Sequence, residues 1–207
     1  MSIQKHRLFV SSASPYVRKC TASVLYHGLD QDFEFLPATS WDETSDYRSN
    51  NPFGKVPALK TTDGTCYIDS PVIAEVIDQM GSAEKLFPVD PIARLDALRR
   101  MAVGDNLLDV AVAMIYENRR TDTEPSAFWL DRWATGMKTG LDALEAEADT
   151  WGDRLDIGTL SIACSLGYLD FRYGDTPWAP DRPALADWFD RFSDHDFFQK
   201  TLPKDPT

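Results

Sequence analysis

Cysteine and histidine are scarce in this chain of 207 residues, with three of each. Cys20, Cys66 and Cys164 are odd in number and share no spacing, which fits reduced thiols and not a disulfide framework. No Cys-x-x-Cys occurs, and with so few histidines no zinc-ligand set can be assembled. Gly-x-Gly-x-x-Gly, a P-loop and Gly-x-Ser-x-Gly are absent too, so familiar nucleotide and hydrolase chemistries have no support. Long apolar runs are missing: the most apolar stretch, Leu107 to Tyr116, is interrupted by Asp109 and is too short to span a bilayer. At the amino terminus, Leu8-Phe9-Val10 is too brief for a secretory apolar region, so a cytoplasmic location is expected. Basic charge is in deficit, with seven basic against ten acidic residues up to residue 80 and 14 against 23 after it, for a net charge of −12. Neither part has the electrostatic footprint of a nucleic-acid binder.

What is present is ample material for a core, with 43% hydrophobic and 12% aromatic residues. Up to about residue 80 the pattern alternates. Arg7–Val10 reads as a strand, and Val17, Cys20, Ala22, Val24 and Leu25 give a helical apolar face ending at Gly28. Phe33 and Phe35 mark a second strand, and Trp41 to Asn51 is polar and poorly patterned. Val56–Leu59 and Cys66–Ile68 flank the hairpin signal Thr62-Asp63-Gly64, and a helix opens at Ser70-Pro71. The order β-α-β, loop, β-β-α predicts an α/β layer over residues 1–80. Residues 81–91, with Pro88 and Pro91, read as a linker. Residues 92–207 predict an all-helical domain, with helices near 92–118, 124–149, 157–173 and 183–192. Asp156 is the expected cap of the third of these. Gly136 and Gly140 predict a close approach of a neighbouring helix. Trp129, Trp133 and Met137 form a helix-spaced stripe that predicts core, while Trp178 and Trp188 are open between core and substrate cage.

Three motifs carry chemistry. In Ser11-Ser12-Ala13-Ser14-Pro15, a strand end runs into a helix whose expected cap is Ser14, and a hydroxyl there can cap the helix or donate to an external anion such as a thiolate. In Asn51-Pro52-Phe53-Gly54-Lys55-Val56-Pro57, a cis bond before Pro57 would turn the Val56 backbone toward an extended ligand. In Asp69-Ser70-Pro71, Ser70 is expected to cap the helix and offer groups for a carboxylate, while Asp69 suits an ammonium group or complements the helix dipole.

With these residues the chain resembles the cytosolic glutathione S-transferases, over essentially its whole length. Ser14-Pro15-Tyr16-Val17 stands where related thioredoxin-like proteins such as glutaredoxins have Cys-Pro-Tyr-Cys. Gly54-Lys55-Val56-Pro57 resembles the family's cis-proline segment, and Asp69-Ser70 its acidic-Ser glutathione motif. Gly158–Cys164 and Gly167–Arg172 resemble the buried helix of the second domain, although Asp156 and Thr159 look like the family's capping box with its residue types exchanged. The details are similar to a bacterial-type, serine-containing branch.

The resemblance implies a thioredoxin-like domain followed by a helical bundle, a homodimer, and glutathione as co-substrate with no metal. It implies that Ser14 stabilises the thiolate, with Ser11 and Ser12 as neighbouring alternatives, and that the Val56-Pro57 backbone pairs with the cysteinyl part. Asp69 and Ser70 would hold the γ-glutamyl end, and Lys55 either neutralises the glycine carboxylate or stays solvated. Arg18 either faces the site or covers the helix surface. With no sulfur at position 14, mixed-disulfide chemistry is excluded there, and Cys20 reads as a buried structural thiol. The electrophile would lie between the domains, near Ser11, Ser12 and the long helix bearing Asp105, Asp109 and Tyr116, with Arg119 and Arg120 close in sequence. Asp105 and Asp109 line a cleft, meet a twofold partner or are structural carboxylates. The expected activity is transfer of glutathione to small hydrophobic electrophiles. The alternatives are a passive glutathione-binding or interaction module, or a glutathione-dependent peroxidase or dehalogenase.

Overall fold

The computed structural model describes residues 4–38 and 46–205, so the part of the polar Trp41–Asn51 stretch before residue 46 lies outside the described residues. The chain divides into two compact units, Met1–Pro91 with Asp196–Thr207, and Ile92–His195.

The first unit is built on four strands, β1 (His6–Val10), β2 (Phe33–Pro37), β3 (Ala58–Lys60) and β4 (Cys66–Tyr67), in the order β2-β1-β3-β4. β1 runs parallel to β2, with Leu8 opposite Phe35, and antiparallel to β3, with Leu8 opposite Leu59. Between β1 and β2 lies helix α1 (Pro15–Tyr26), and after β4 comes α2 (Ser70–Met80). Leu8 and Leu59 meet Cys20 and Val24 of α1 and Ile73 and Ile77 of α2 in one core cluster. Burying each such aliphatic side chain contributes about 1.5–3 kcal/mol. This is a thioredoxin-like domain with a mixed sheet. The Thr62-Asp63-Gly64 turn is closed by Thr61 and Thr65, whose backbone N–H and carbonyl pair at 2.9 Å.

Residues 81–90 hold no helix or strand but are bonded to α2. The Asp78 carboxylate accepts from the Leu86 N–H at 2.7 Å and lies 3.0 Å from His27 Nε2, while Lys85 Nζ donates to the carbonyl of Gly81 at 2.9 Å.

The second unit is helical: α3 (Pro91–Asn118), α4 (Ala127–Ala148), α5 (Ile157–Arg172) and α6 (Pro183–Ser193). Every residue of α5 from Ile157 to Leu169 is buried, so its apolar run serves all faces at once and it is the central helix of the unit. Asp156 accepts from the Thr159 N–H at 2.9 Å and Thr159 Oγ1 accepts from the Asp156 N–H at 3.0 Å, the exchanged capping box anticipated in the sequence. The buried Arg100 of α3 donates to the same Asp156 carboxylate at 2.7 Å.

Two packing expectations are corrected. A Cβ on Gly136 would meet nothing within 4 Å, whereas one on Gly158 would come within 2.5 Å of the Ala97 carbonyl and one on Gly104 within 2.8 Å of the Ser161 backbone. The close approach is therefore between α3 and α5, although Gly140 does face Leu107, 3.1 Å from its built Cβ. The Trp129 stripe is not core either. Trp129 is 47% exposed and stacks on Trp133 at 5.6 Å, because the buried residues of α4 are Leu141, Leu144 and Ala148, near its other end. Trp178 and Trp188 are buried in the helical unit.

The sequence pattern assigned everything after residue 92 to the helical domain, but Asp196–Thr207 clusters with the sheet. A short helix, α7 (Asp196–Gln199), starts this segment, and the Arg18 guanidinium lies over the Phe198 ring, 3.7 Å from its centroid. Among the described residues no helix is long and apolar enough to cross a membrane.

Candidate functional site

Ser14 occupies the N-cap of α1 with extended backbone (φ −83°, ψ 120°), and its Oγ accepts from the Val17 N–H at 3.3 Å. Pro15 follows at the first helical position, where its missing N–H costs nothing. The hydroxyl oxygen is thus used by the helix, while its proton remains a donor. Capping and donation to an anion are compatible in this one side chain. The preceding turn is closed by the Ser14 N–H donating to the Ser11 carbonyl at 3.1 Å.

The Val56-Pro57 peptide is cis, as the sequence suggested, and Ile68-Asp69 is cis as well. The segment before Pro57 is pinned by Asn51, which opens the motif but has no role assigned from the sequence, and by Tyr47, which the sequence does not single out. Asn51, itself buried, donates from Nδ2 to the Lys55 carbonyl at 2.6 Å and accepts the Phe53 N–H at 3.0 Å. The Tyr47 hydroxyl donates to that same carbonyl at 2.5 Å, and burial pushes its phenol up to about 12. Gly54 has φ +65°, a left-handed conformation that calls for glycine, while a Cβ there would only need the exposed Arg48 guanidinium, 3.1 Å away, to shift slightly. The Lys55 side chain is exposed; its ordered contribution is the carbonyl.

At α2 the start is shifted by one residue from expectation. Asp69, not Ser70, holds the N-cap position, and its side chain makes no capping bond. Ser70 is the first helical residue and is 2% exposed, with its carbonyl 3.6 Å from Cys20 Sγ. The exposed Asp69 carboxylate therefore stands beside the first-turn N–H groups of α2, which lack helical acceptors. Cys20 is fully buried on the inner face of α1, where a structural thiol belongs.

Strand register brings the three motifs to one end of the sheet. Phe9, next to the end of β1, is opposite Ala58 at the start of β3, and Leu59 is opposite Tyr67 at the end of β4, so Ser11, Pro57 and Asp69 all follow from the same end of the sheet. Asp105, Asp109 and Tyr116 are carried by α3 of the helical unit, with Asp109 and Tyr116 exposed and Asp105 half-buried. A groove of about 580 Å³ on that unit, lined by Val110, Phe128, Asp131, Trp133 and Gly136 among others, contains none of the expected site residues. Among the described residues no group of three His, Cys, Asp or Glu side chains is placed to hold a metal ion.

The comparisons with known proteins agree with this geometry. Residues 13–80 match the glutathione S-transferase N-terminal domain and residues 127–191 the glutathione S-transferase C-terminal domain. An uncharacterised GST-like protein of Escherichia coli strain K12, YibF, is 32% identical over 200 residues, covering 95% of this chain and 98% of that one. A glutathione transferase family member from Pseudomonas fluorescens Pf-5, crystallised with glutathione, is 33% identical with a TM-score of 0.92, covering 97% of this chain and 100% of that one. A second structure of a family member from that organism, with S-(propanoic acid)-glutathione bound, is 33% identical with a TM-score of 0.86 over the same shares. The chain belongs to the glutathione S-transferase family.

Proposed function

We propose that this protein is a glutathione transferase of a bacterial-type, serine-containing branch, in which Ser14 stabilises the glutathione thiolate for attack on a small hydrophobic electrophile. A free thiol has a pKa of about 8.5, so only a few per cent is ionised at neutral pH. Lowering it by about two units takes about 2.7 kcal/mol of preferential interaction with the thiolate. The observation that carries the reading is the Ser14 cap itself: its lone pair serves the Val17 N–H, leaving the hydroxyl proton directed by whatever anion arrives at the positive end of α1. A thiolate there accepts one charge-assisted hydrogen bond and the field of a 12-residue helix.

The same reading assigns the remaining residues. The Val56 backbone, presented by the pinned Lys55 carbonyl and cis Pro57, pairs with the cysteinyl part of the tripeptide. Asp69 takes the γ-glutamyl ammonium, and the Ser70 start of α2 takes its carboxylate. Lys55, exposed at the turn, neutralises the glycine carboxylate. For the electrophile, the candidate residues are Ser11 and Ser12 on the first unit and, taken separately, Asp105, Asp109 and Tyr116 on α3 of the second. Sulfur–carbon bond formation then displaces the leaving group with its bonding pair, or shifts a conjugated π pair to the adjacent carbon for protonation by solvent.

Residues 1–80 supply the glutathione half of this function, 81–91 the connection, and the helices after residue 92 the electrophile half, while the segment from Asp196 onward groups with the first unit. The physiological form is a cytoplasmic homodimer acting in detoxification, and exposed Phe53 and Phe128 offer apolar surface that such an assembly would cover. The relative from Pseudomonas fluorescens Pf-5 has also been crystallised with S-(propanoic acid)-glutathione, so the reading is that the site here, too, has room for a substituent on the sulfur. The test is turnover of an activated aryl halide by wild type and Ser14→Ala: a fall of about ten- to a hundredfold is expected, and unchanged turnover would remove the role given to Ser14.

A further inference from the structure

The segment after residue 195 reaches the Ser11–Ser14 loop. Phe198 is buried, with the Arg18 guanidinium over its ring at 3.7 Å. Arg18 is itself only 4% exposed and donates from Nη2 to the Phe198 carbonyl at 3.4 Å and from Nε to Thr201 Oγ1 at 3.3 Å. The Phe197 ring meets Tyr26 edge-on at 5.4 Å. These contacts fasten the segment along α1. Beyond them the chain is exposed, with Leu202 at 53%, yet the Lys204 N–H donates to the Ser12 carbonyl at 3.1 Å.

This last bond is placed where packing does not explain it. Lys204 lies six positions past Phe198 and is exposed, so burial of its side chain does not account for the bond, whose own contribution to stability is about 1 kcal/mol. What it fixes is the turn that carries the cap. The Ser11 carbonyl is held by the Ser14 N–H and the Ser12 carbonyl by the Lys204 N–H, so the short connection from β1 to α1 is closed on itself and also tied, within the turn, to the segment after Thr201. A hydroxyl donor acts on a thiolate only within hydrogen-bond reach, and displacements of a few tenths of an ångström weaken it.

We propose that residues 201–205 form a strap that holds the Ser11–Ser14 turn in position, anchored by Arg18 on Phe198 and Thr201 and closed by the Lys204 N–H on Ser12. Lys204 acts here as a positioning residue through its backbone, not its side chain. The consequence for catalysis rests on the reading of Ser14 given above; the holding of the turn does not.

The discriminating pair is Lys204→Pro, which removes the donor, and Lys204→Ala, which keeps it. Deleting residues 204–207 provides a second way of removing the donor. Two measurements are made on each: amide hydrogen exchange of the peptide spanning Ser11 to Tyr16, and the pH titration of the thiolate absorbance of bound glutathione. Lys204→Pro and the deletion should speed exchange in that peptide about three- to tenfold, with exchange in Lys204→Ala unchanged. They should also raise the bound thiol's pKa toward the free value. Exchange in Lys204→Pro equal to that in Lys204→Ala would overturn the strap, whatever the titration shows. Faster exchange together with a wild-type thiol pKa that is not lowered would uphold the strap and overturn the role of Ser14 instead.

Discussion

The Asn51 carboxamide donates to the Lys55 carbonyl across 2.6 Å, bridging a turn of four residues immediately before the cis Val56-Pro57 peptide. Asn51 thereby fixes the backbone that leads into Val56-Pro57, the segment the proposed function pairs with glutathione. Asn51→Ala leaves Tyr47 on that carbonyl but frees the loop, at a cost of about 1–3 kcal/mol. The expected result is an increase of about tenfold in KM for glutathione, with a smaller change in kcat, measured by steady-state kinetics. A kcat loss at unchanged KM would show that the loop orients the reaction and not the ligand.

Asp69 makes no capping bond, so the fold uses its carboxylate only through the field at the start of α2, a contribution of about 0.3–1 kcal/mol. Asp69→Ala is expected to leave the melting temperature within about 4 °C of wild type, a change of no more than about 1 kcal/mol. Glutathione affinity, measured by calorimetry, should fall about ten- to a hundredfold through loss of the ammonium partner. Unchanged affinity would remove Asp69 from the binding site.

In the helical unit, Asp156 joins a helix cap to a buried ion pair with Arg100. Asp156→Ala removes both and leaves a guanidinium buried with less compensation, which costs about 3–5 kcal/mol. Thr159→Val removes only the reciprocal half of the cap and should cost about 1 kcal/mol. Chemical denaturation of the two variants checks the ranking, and an Asp156→Ala loss below that of Thr159→Val would contradict it.

Alkaline pH gives a signed prediction. Burial raises the phenols of Tyr47 and Tyr173 from 10.0 to about 12, so the folded state holds these protons more tightly than the unfolded state. Stability is therefore complete below pH 10 and declines as pH rises toward 12, by less than the about 2–3 kcal/mol of a fully buried phenol, because solvent screens the half-buried Tyr173 in particular. Tyrosinate absorbance should show a late-titrating fraction, reduced in Tyr47→Phe.

What the sequence made legible was local. Ser14-Pro15 and Asp156–Thr159 satisfy helix ends within three residues, and the strand at Leu8 and helical face at Cys20 and Val24 show their periods directly. The start of α2 was misjudged by one residue because Asp69 and Ser70 are both good caps, and only the fold decides between them. Tyr47 carries no signal in the sequence, and the role of Asn51 within its motif is not readable there, because loop contacts to a carbonyl leave no periodic trace. Arg18 and Phe198 are 180 positions apart, so no local pattern returns α7 to the sheet. The Trp129 stripe has core-like spacing on a helix end that the unit does not bury.

The central claim is that Ser14 lowers the thiol pKa of glutathione. Its most direct test is a pH titration of thiolate absorbance for glutathione saturating the wild-type protein and Ser14→Ala. The account predicts a bound pKa about two units below the free value of about 8.5, returning most of the way in the variant. Glutathione bound with an unshifted pKa, or a shift that survives in Ser14→Ala, would contradict it.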